Sequence, residues 1–234
     1  MPPEIPLDTI KAFARTIFAE SHRYGFRQLD IVRLINELMD LSTGIEATQV
    51  APASAPVIDF GVMYVASFPL RSKRLEIRRA DPVGDFSLIS TWIGDAYGKH
   101  FLLSSATAQR TDLKGLLRNS ANEVGIVFQD DRPIGAVAFL DIDKNQRRAE
   151  LRKLIGDKSA RGKGLAEEAT RLWIEYGGQR LNLQKIYVST LQTHIRNIQL
   201  NESIGFRVEG VLSKEVLIDG ERYDVLRMGF CYEQ

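Results

Sequence analysis

A glycine-rich turn between a predicted strand and a predicted helix constrains this chain more than any other feature. Residues 149–155 are predicted as a strand and residues 164–181 as a helix. The turn between them contains Arg161-Gly162-Lys163-Gly164-Leu165-Ala166. Glycines let a ligand approach the backbone closely, and the start of a helix presents free N–H groups and the positive end of its dipole. The arrangement predicts a pyrophosphate cradle, to which Arg161 and Lys163 add charge.

The turn departs from two other nucleotide-binding motifs. Lys163 is followed by Gly164 instead of the Ser or Thr of a Walker A loop. Glu167 stands where the third glycine of G-x-G-x-x-G would lie. Taken alone, the motif leaves two interpretations open: a phosphate cradle, or a basic surface turn at the start of a helix.

Composition excludes several classes of protein. The 234 residues carry 31 Lys+Arg against 30 Asp+Glu, and this balance argues against a protein that binds nucleic acid through bulk charge. One cysteine excludes an internal disulfide framework, and the scattered histidines lack the spacing of metal ligands. No apolar run approaches the roughly 20 residues of a membrane helix, and the first residues lack a secretory pattern. We expect a reduced, cytoplasmic protein that binds no metal, no nucleic acid and no membrane.

The chain is predicted to have three parts. Residues 1–45 carry apolar positions at helical spacing and form a helical N-terminal extension, broken near Gly25. Residues 46–74 include the run Ala51-Pro52-Ala53-Ser54-Ala55-Pro56 and are predicted as linker and connector. Residues 75–234 mix strand and helix patterns and form the main domain. The apolar stripes of the extension are expected to pack on each other and on this domain or a second subunit, unless the extension is a free adaptor.

Individual elements of the main domain follow from periodicity and turn residues. Helices are predicted over 81–95, 107–120, 164–181 and 195–204. Strands are predicted over 75–79, 123–129, 134–142, 149–155, 185–191, 208–218 and 222–231. The last two strands form a terminal hairpin, which is expected to be exposed and able to pair across a two-fold axis in a homodimer.

Four elements in this order resemble the GNAT superfamily of acetyl-CoA-dependent N-acetyltransferases. Arg161-x-x-Gly164-x-Ala166 matches that family's acyl-CoA pyrophosphate loop, and Ile155-Gly156-Asp157-Lys158 is similar to its branch of ribosomal-protein N-terminal acetyltransferases. The other three elements resemble the family's fifth strand, its closing helix and its terminal hairpin, at Leu183–Val188, Leu200–Phe206 and Gly210–Met228. The resemblance covers about residues 75–231 and leaves out residues 1–74.

The resemblance implies an α/β (α+β) fold with a mixed, mostly antiparallel sheet flanked by helices. The sheet would split open between the strands at 149–155 and 185–191, the family's fourth and fifth. Acetyl-CoA, the cosubstrate, would lie in the split, with its pantetheine arm paired to backbone near Leu154 and Ile155. The amides that would hold its pyrophosphate belong to Arg161, Gly162, Lys163, Gly164, Leu165 and Ala166. Direct attack of an amine on the thioester needs no acyl-enzyme, so Cys231 is not expected to be a nucleophile.

Glu150 is the candidate catalytic base, because many relatives place a carboxylate facing the amine at this position. A carboxylate in a partly dry cleft can have its pKa raised toward the working range. Two alternatives stay open. Glu150 forms a salt bridge to Arg152 or Lys153, or it anchors the cation of the substrate.

Two positions depart from the family pattern. Asn201 stands where many relatives have a Tyr that protonates the thiolate, and an amide is no useful acid. His194 stands where the family usually has an Asn that contacts the cofactor. A histidine can shuttle a proton near neutral pH, or it simply replaces the hydrogen bonds of that Asn.

The sequence therefore predicts an N-acetyltransferase that acts on a primary amine. The acceptor is expected to be a small molecule, such as a nucleotide-linked amino sugar, or a protein N-terminus. Polyamines are slightly disfavoured, because a near-neutral chain offers no strongly acidic surface. The alternative from another class is a non-catalytic acyl-CoA-binding or protein-interaction module with the same fold, which Asn201 keeps open.

Overall fold

The structure is a computed structural model that describes residues 7–27, 30–32, 34, 35, 38, 67–95, 98, 112–191, 195–218 and 220–232. The chain divides into two compact units, residues 1–54 and 55–234. Several sequence predictions lie outside the described residues: His194, residues 46–66 of the linker and connector predicted over 46–74, and the first part of the helix expected over 107–120.

The first unit contains the helix α1 (Leu7–Arg23), which confirms the first predicted helix. Gly25, with a φ of 78°, ends it, because a left-handed residue there lets the N–H of Phe26 donate to the carbonyl of Ser21. Residues 30–32, 34, 35 and 38 are also helical. Apolar side chains of α1 remain exposed, including Leu7, Ile10 and Ile17. The docking of this extension stays a prediction.

A mixed sheet forms the centre of the second unit. The described residues form eight strands: β1 (Leu70–Arg71), β2 (Glu76–Arg79), β3 (Glu123–Gln129), β4 (Arg132–Asp143), β5 (Arg148–Ile155), β6 (Lys185–Leu191), β7 (Arg207–Ile218) and β8 (Glu221–Cys231). Their order is β1-β2-β3-β4-β5-β6-β8-β7. The pair β5–β6 is parallel and the other neighbours are antiparallel. The predicted mixed, mostly antiparallel sheet is confirmed.

Helices cover both faces of this sheet. They are α2 (Phe86–Gly94), α3 (Leu113–Arg118), α4 (Leu165–Leu181) and α5 (Ile195–Ile204), with a 3-10 turn at Lys158–Ala160 before α4. The helix predicted over 81–95 begins only at Phe86. The reason is the Asp85 carboxylate, which accepts from the N–H of Asp81 at 2.7 Å and from Arg78 at 2.6 Å. These bonds hold residues 82–85 as turns.

The two faces of the sheet have different cores, because successive residues of a strand point to opposite sides. One face packs Ala136, Ala138 and Leu154 against Ile89 and Trp92 of α2. On the other face, Phe139 of β4 stacks on Trp173 of α4, with ring centroids 5.5 Å apart. Strand β5 is central, so its side chains are divided between two buried environments.

Candidate functional site

The sheet opens between β5 and β6. These strands pair only at Arg148↔Lys185, Ala149↔Ile186 and Glu150↔Tyr187. On its other edge, β5 stays paired with β4 as far as Ile155↔Gly135. Residues 151–155 thus have one edge without a strand partner among the described residues. The opening lies where the sequence predicted the split.

The glycine turn closes one end of this opening. Gly162 and Gly164 both have a φ of 75°, a left-handed conformation that L side chains rarely adopt. Gly164 immediately precedes α4, and no side chain caps the helix there. The first N–H groups of α4 therefore lack a side-chain acceptor in the described part of the chain, and they present the positive end of the helix dipole.

The side chain of Arg161 stabilises the turn through hydrogen bonds to the end of β5. Its Nε donates to the carbonyl of Ile155 at 2.9 Å, and its Nη2 donates to the carbonyl of Gly156 at 3.1 Å. The same nitrogen lies 3.2 Å from the Asp95 carboxylate of the α2 C-terminus. The Arg161 side chain thus joins the end of β5 to the turn, so a ligand would meet its backbone amide first. The Ile155 carbonyl is already engaged by this contact.

Arg74 is a further cation beside the turn, and no sequence motif predicted it. Arg74 donates through Nη1 to the carbonyl of Lys163 at 3.1 Å and through Nε to Glu168 at 2.6 Å. Its Nη2 would lie 3.7 Å from a Cβ built on Gly164. Burial disfavours the charged form of Glu168, but hydrogen bonds from Ser72 and Arg74 lower the pKa of its carboxyl below the ordinary value. No local pattern marks Arg74, which lies some 90 residues before the turn in the chain.

Glu150 and Arg152 form a buried ion pair on one face of β5. Their exposed fractions are 1% and 5%, and Oε1 of Glu150 accepts from Nη2 of Arg152 at 2.6 Å. Arg152 also donates to the carbonyl of Ser189 on β6 at 2.9 Å. This is one of the salt bridges considered from the sequence. Tyr187 of β6 is paired with Glu150, and the Arg227 guanidinium lies 4.6 Å from the centroid of the Tyr187 ring.

Lys153 lies on the opposite face of β5, so it is not the partner of Glu150. Its Nζ donates to Oδ1 of Asn201 on α5, and Nδ2 of Asn201 donates to the sulfur of Met228 at 3.7 Å. Asn201 is fully buried. Burial, with a smaller effect of the Arg152 charge, lowers the pKa of Lys153 to about 7. In the sequence, the feature that could have indicated this site is the pair of adjacent cations, Arg152 and Lys153, within a central strand.

Lys153 should make the stability of the fold depend on pH. Its pKa is about 7 in the fold against an ordinary 10.5, so the unfolded chain binds more protons between these values. Stability therefore rises with pH across this window, by at most about 5 kcal/mol in total. We expect Lys153→Met to remove most of this rise, as measured by urea unfolding near pH 7 and pH 9. An unchanged slope would show that Lys153 titrates normally.

The described residues contain no group of three or more His, Cys, Asp and Glu side chains that could hold a metal ion. None of the helices seen in these ranges has the length and apolar character required to cross a membrane.

The family model and the relatives that this chain matches are all acetyltransferases. The family model described as "Acetyltransferase (GNAT) domain" matches residues 74–207. Spermidine N(1)-acetyltransferase of Escherichia coli K12 is 35% identical over 103 residues, 44% of this chain and 55% of that protein. The chain thus spans about half the length of this relative. An uncharacterized N-acetyltransferase p20 of Bacillus licheniformis is 29% identical over 175 residues, 69% of this chain and 98% of that protein.

Solved structures share the fold. The spermidine N-acetyltransferase of Vibrio cholerae in complex with CoA and spermine superposes with a TM-score of 0.58 at 24% identity. The match covers 68% of this chain and 96% of that one. Another structure of the same enzyme is described as dodecameric and gives a TM-score of 0.54.

Proposed function

Because the chain belongs to the acetyltransferase (GNAT) domain family, we propose that it transfers an acetyl group from acetyl-CoA to a primary amine. The observation that carries this proposal is the opening between β5 and β6, which ends at the uncapped start of α4 at Gly164. An unpaired strand edge suits the amides of a pantetheine arm, and an uncapped helix start suits a pyrophosphate.

The residues of this region fit acetyl-CoA. The backbone amides of residues 161–166 would hold the pyrophosphate, and the lack of side chains at Gly162 and Gly164 leaves room for close approach. Arg74 and Lys163 add positive charge beside this position. The free edge of β5 near Leu154 would pair with the pantetheine arm. When bound, acetyl-CoA supplies an activated acyl group, and the protein aligns an amine with it.

Glu150 is proposed to accept the proton that the attacking amine loses. Its carboxylate is buried on the face of β5 that also carries Arg152. The ion pair fixes the orientation of the carboxylate, and a carboxylate held in place can take a proton from an amine that lies within hydrogen-bond distance. Anchoring of the substrate ammonium is the alternative role. His194, the other candidate for proton transfer, lies outside the described ranges.

Two classes of acceptor have separate support. The similarity to spermidine acetyltransferases supports a polyamine, which the sequence analysis had ranked lower. The charges near Glu150 support another choice, because Arg152 and Arg227 accompany the carboxylate on this face. Two guanidinium groups attract an acceptor that carries an anionic group near its amine. A nucleotide-linked amino sugar is such an acceptor, and so is a protein N-terminus that is followed by an acidic residue.

A thiol-release assay over a panel of amines, with mass spectrometry of the products, tests the proposal. The panel contains spermidine, spermine, a nucleotide-linked amino sugar and short peptides. Release of CoA with one acetylated product is expected. Arg227→Gln should favour polyamines if the arginine repels them and should weaken use of an anionic acceptor. Binding of acetyl-CoA with no transfer to any amine would support the non-catalytic module, and absence of binding would refute the proposal.

Assembly of several copies is also proposed. Strand β7 lies at the edge of the sheet and has no partner on its outer side within the described residues. Such an edge can pair with a second copy across a two-fold axis, as the sequence predicted for the terminal hairpin. Light scattering of the purified chain distinguishes a monomer from a homodimer or a larger assembly.

A further inference from the structure

Strand β5 carries two ionisable groups on opposite faces at the opening of the sheet. Glu150 is the last residue of β5 that pairs with β6, and it faces Arg152. Lys153 lies three residues further on, beyond the last pair, and reaches Asn201 of α5. Alternation along the strand keeps these two groups apart, so they can serve different atoms of a reaction that takes place between β5 and β6.

Lys153 is a partly buried cation without an anionic partner among the described residues. Among the described residues, no carboxylate pairs with it, and its hydrogen-bond acceptor is the neutral amide oxygen of Asn201. Met228, which contacts the other end of that amide, is also neutral. The charge that acts on Lys153 is that of Arg152, which has the same sign. A positive site of this kind favours either loss of its proton or the arrival of an anion.

The proposed reaction produces one anion at the opening. As the amine nitrogen bonds to the acyl carbon, the bond from that carbon to the CoA sulfur breaks and its electron pair stays on sulfur. We propose that Lys153 donates a proton to this departing thiolate and that Asn201 positions the lysine ammonium for the transfer. An N–H bond of Lys153 breaks, an S–H bond forms, and the neutral lysine later regains a proton from solvent. This inference rests on the proposed acetyltransferase function.

Acidity supports this assignment. The pKa of Lys153 is lowered to about 7, whereas an ordinary thiol has a pKa of about 8.5. Proton transfer from the ammonium to a thiolate is then favourable, and solvent can recharge the lysine near neutral pH. Other donors are less suitable. Asn201 is an amide, and burial raises the pKa of Tyr187, which lies beside Glu150 and Arg227.

The test compares Lys153→Met and Lys153→Arg with the intact chain. Lys144→Met, in the exposed turn between β4 and β5, is the matched control. The first measurement is the ultraviolet absorbance of the thiolate of bound CoA, followed against pH. A neighbouring ammonium stabilises the thiolate, so its titration is expected at lower pH in the intact chain and in the control than in Lys153→Met. A merely structural lysine would not move this titration.

The second measurement is turnover with the best amine. Lys153→Met is expected to lower turnover by about 10²-fold. Lys153→Arg keeps the charge and stabilises the bound thiolate, but it gives up no proton at neutral pH, so its turnover should remain low. Normal turnover in Lys153→Arg would overturn proton donation. An unchanged thiolate titration in folded Lys153→Met would overturn the role of Lys153 and leave the proposed function intact. Failure of the intact chain to bind CoA would refute both.

Discussion

The Gly164→Glu substitution is expected to abolish acetyl-CoA binding. Gly164 has a φ of 75°, where a residue with a Cβ is strained by roughly 1–2 kcal/mol. The new carboxylate would also lie at the uncapped start of α4, in the position proposed for the pyrophosphate. Two like charges cannot share this site without a large loss of affinity.

Calorimetric titration with acetyl-CoA measures this effect, and circular dichroism shows whether the variant is folded. Gly220→Glu is the matched control. Gly220 has a φ of 85° and open space around it, but it lies in the turn between β7 and β8. The control should carry a similar strain and still bind acetyl-CoA. An affinity unchanged by Gly164→Glu in a folded protein would remove the pyrophosphate from this turn.

The second large effect is expected for Glu150→Gln, which should lower turnover by roughly 10²–10⁴-fold if this carboxylate takes the amine proton. The amide oxygen still accepts from Arg152, so the buried contact and the fold should survive. Removal of the acceptor altogether, as in Glu150→Ala, would leave a buried guanidinium unpaired and destabilise the protein. Acetyl-CoA affinity should barely change in Glu150→Gln.

Steady-state kinetics across a range of amine concentrations separates the two roles of Glu150. A lower kcat at constant KM indicates proton transfer, and a higher KM at constant kcat indicates anchoring of the ammonium. Glu123→Gln is a suitable control, because Glu123 on β3 is a mostly buried carboxylate paired with Arg79 at 2.6 Å. Near-normal turnover of Glu150→Gln at neutral pH would assign the proton to water or to another residue.

Local patterns in the sequence correctly predicted the secondary structure around the site. The strand over 185–191 and the helix over 195–204 have the predicted bounds, and α4 begins one residue after the predicted start. Periodicity sufficed because each pattern depends on residues that are close in the chain. The glycine turn was also recognisable, since a φ of 75°, as at Gly162 and Gly164, strongly favours glycine.

Contacts between residues far apart in the chain determine which charges meet. The sequence left Arg152 and Lys153 as equal partners for Glu150. The strand geometry selects Arg152, because residues two apart share a face, whereas Lys153, three residues from Glu150, lies on the opposite face. The contact of Lys153 with Asn201 joins residues 48 positions apart, and the contact of Arg74 with the glycine turn spans 89. Such pairings depend on strand register and helix packing, which no local pattern encodes.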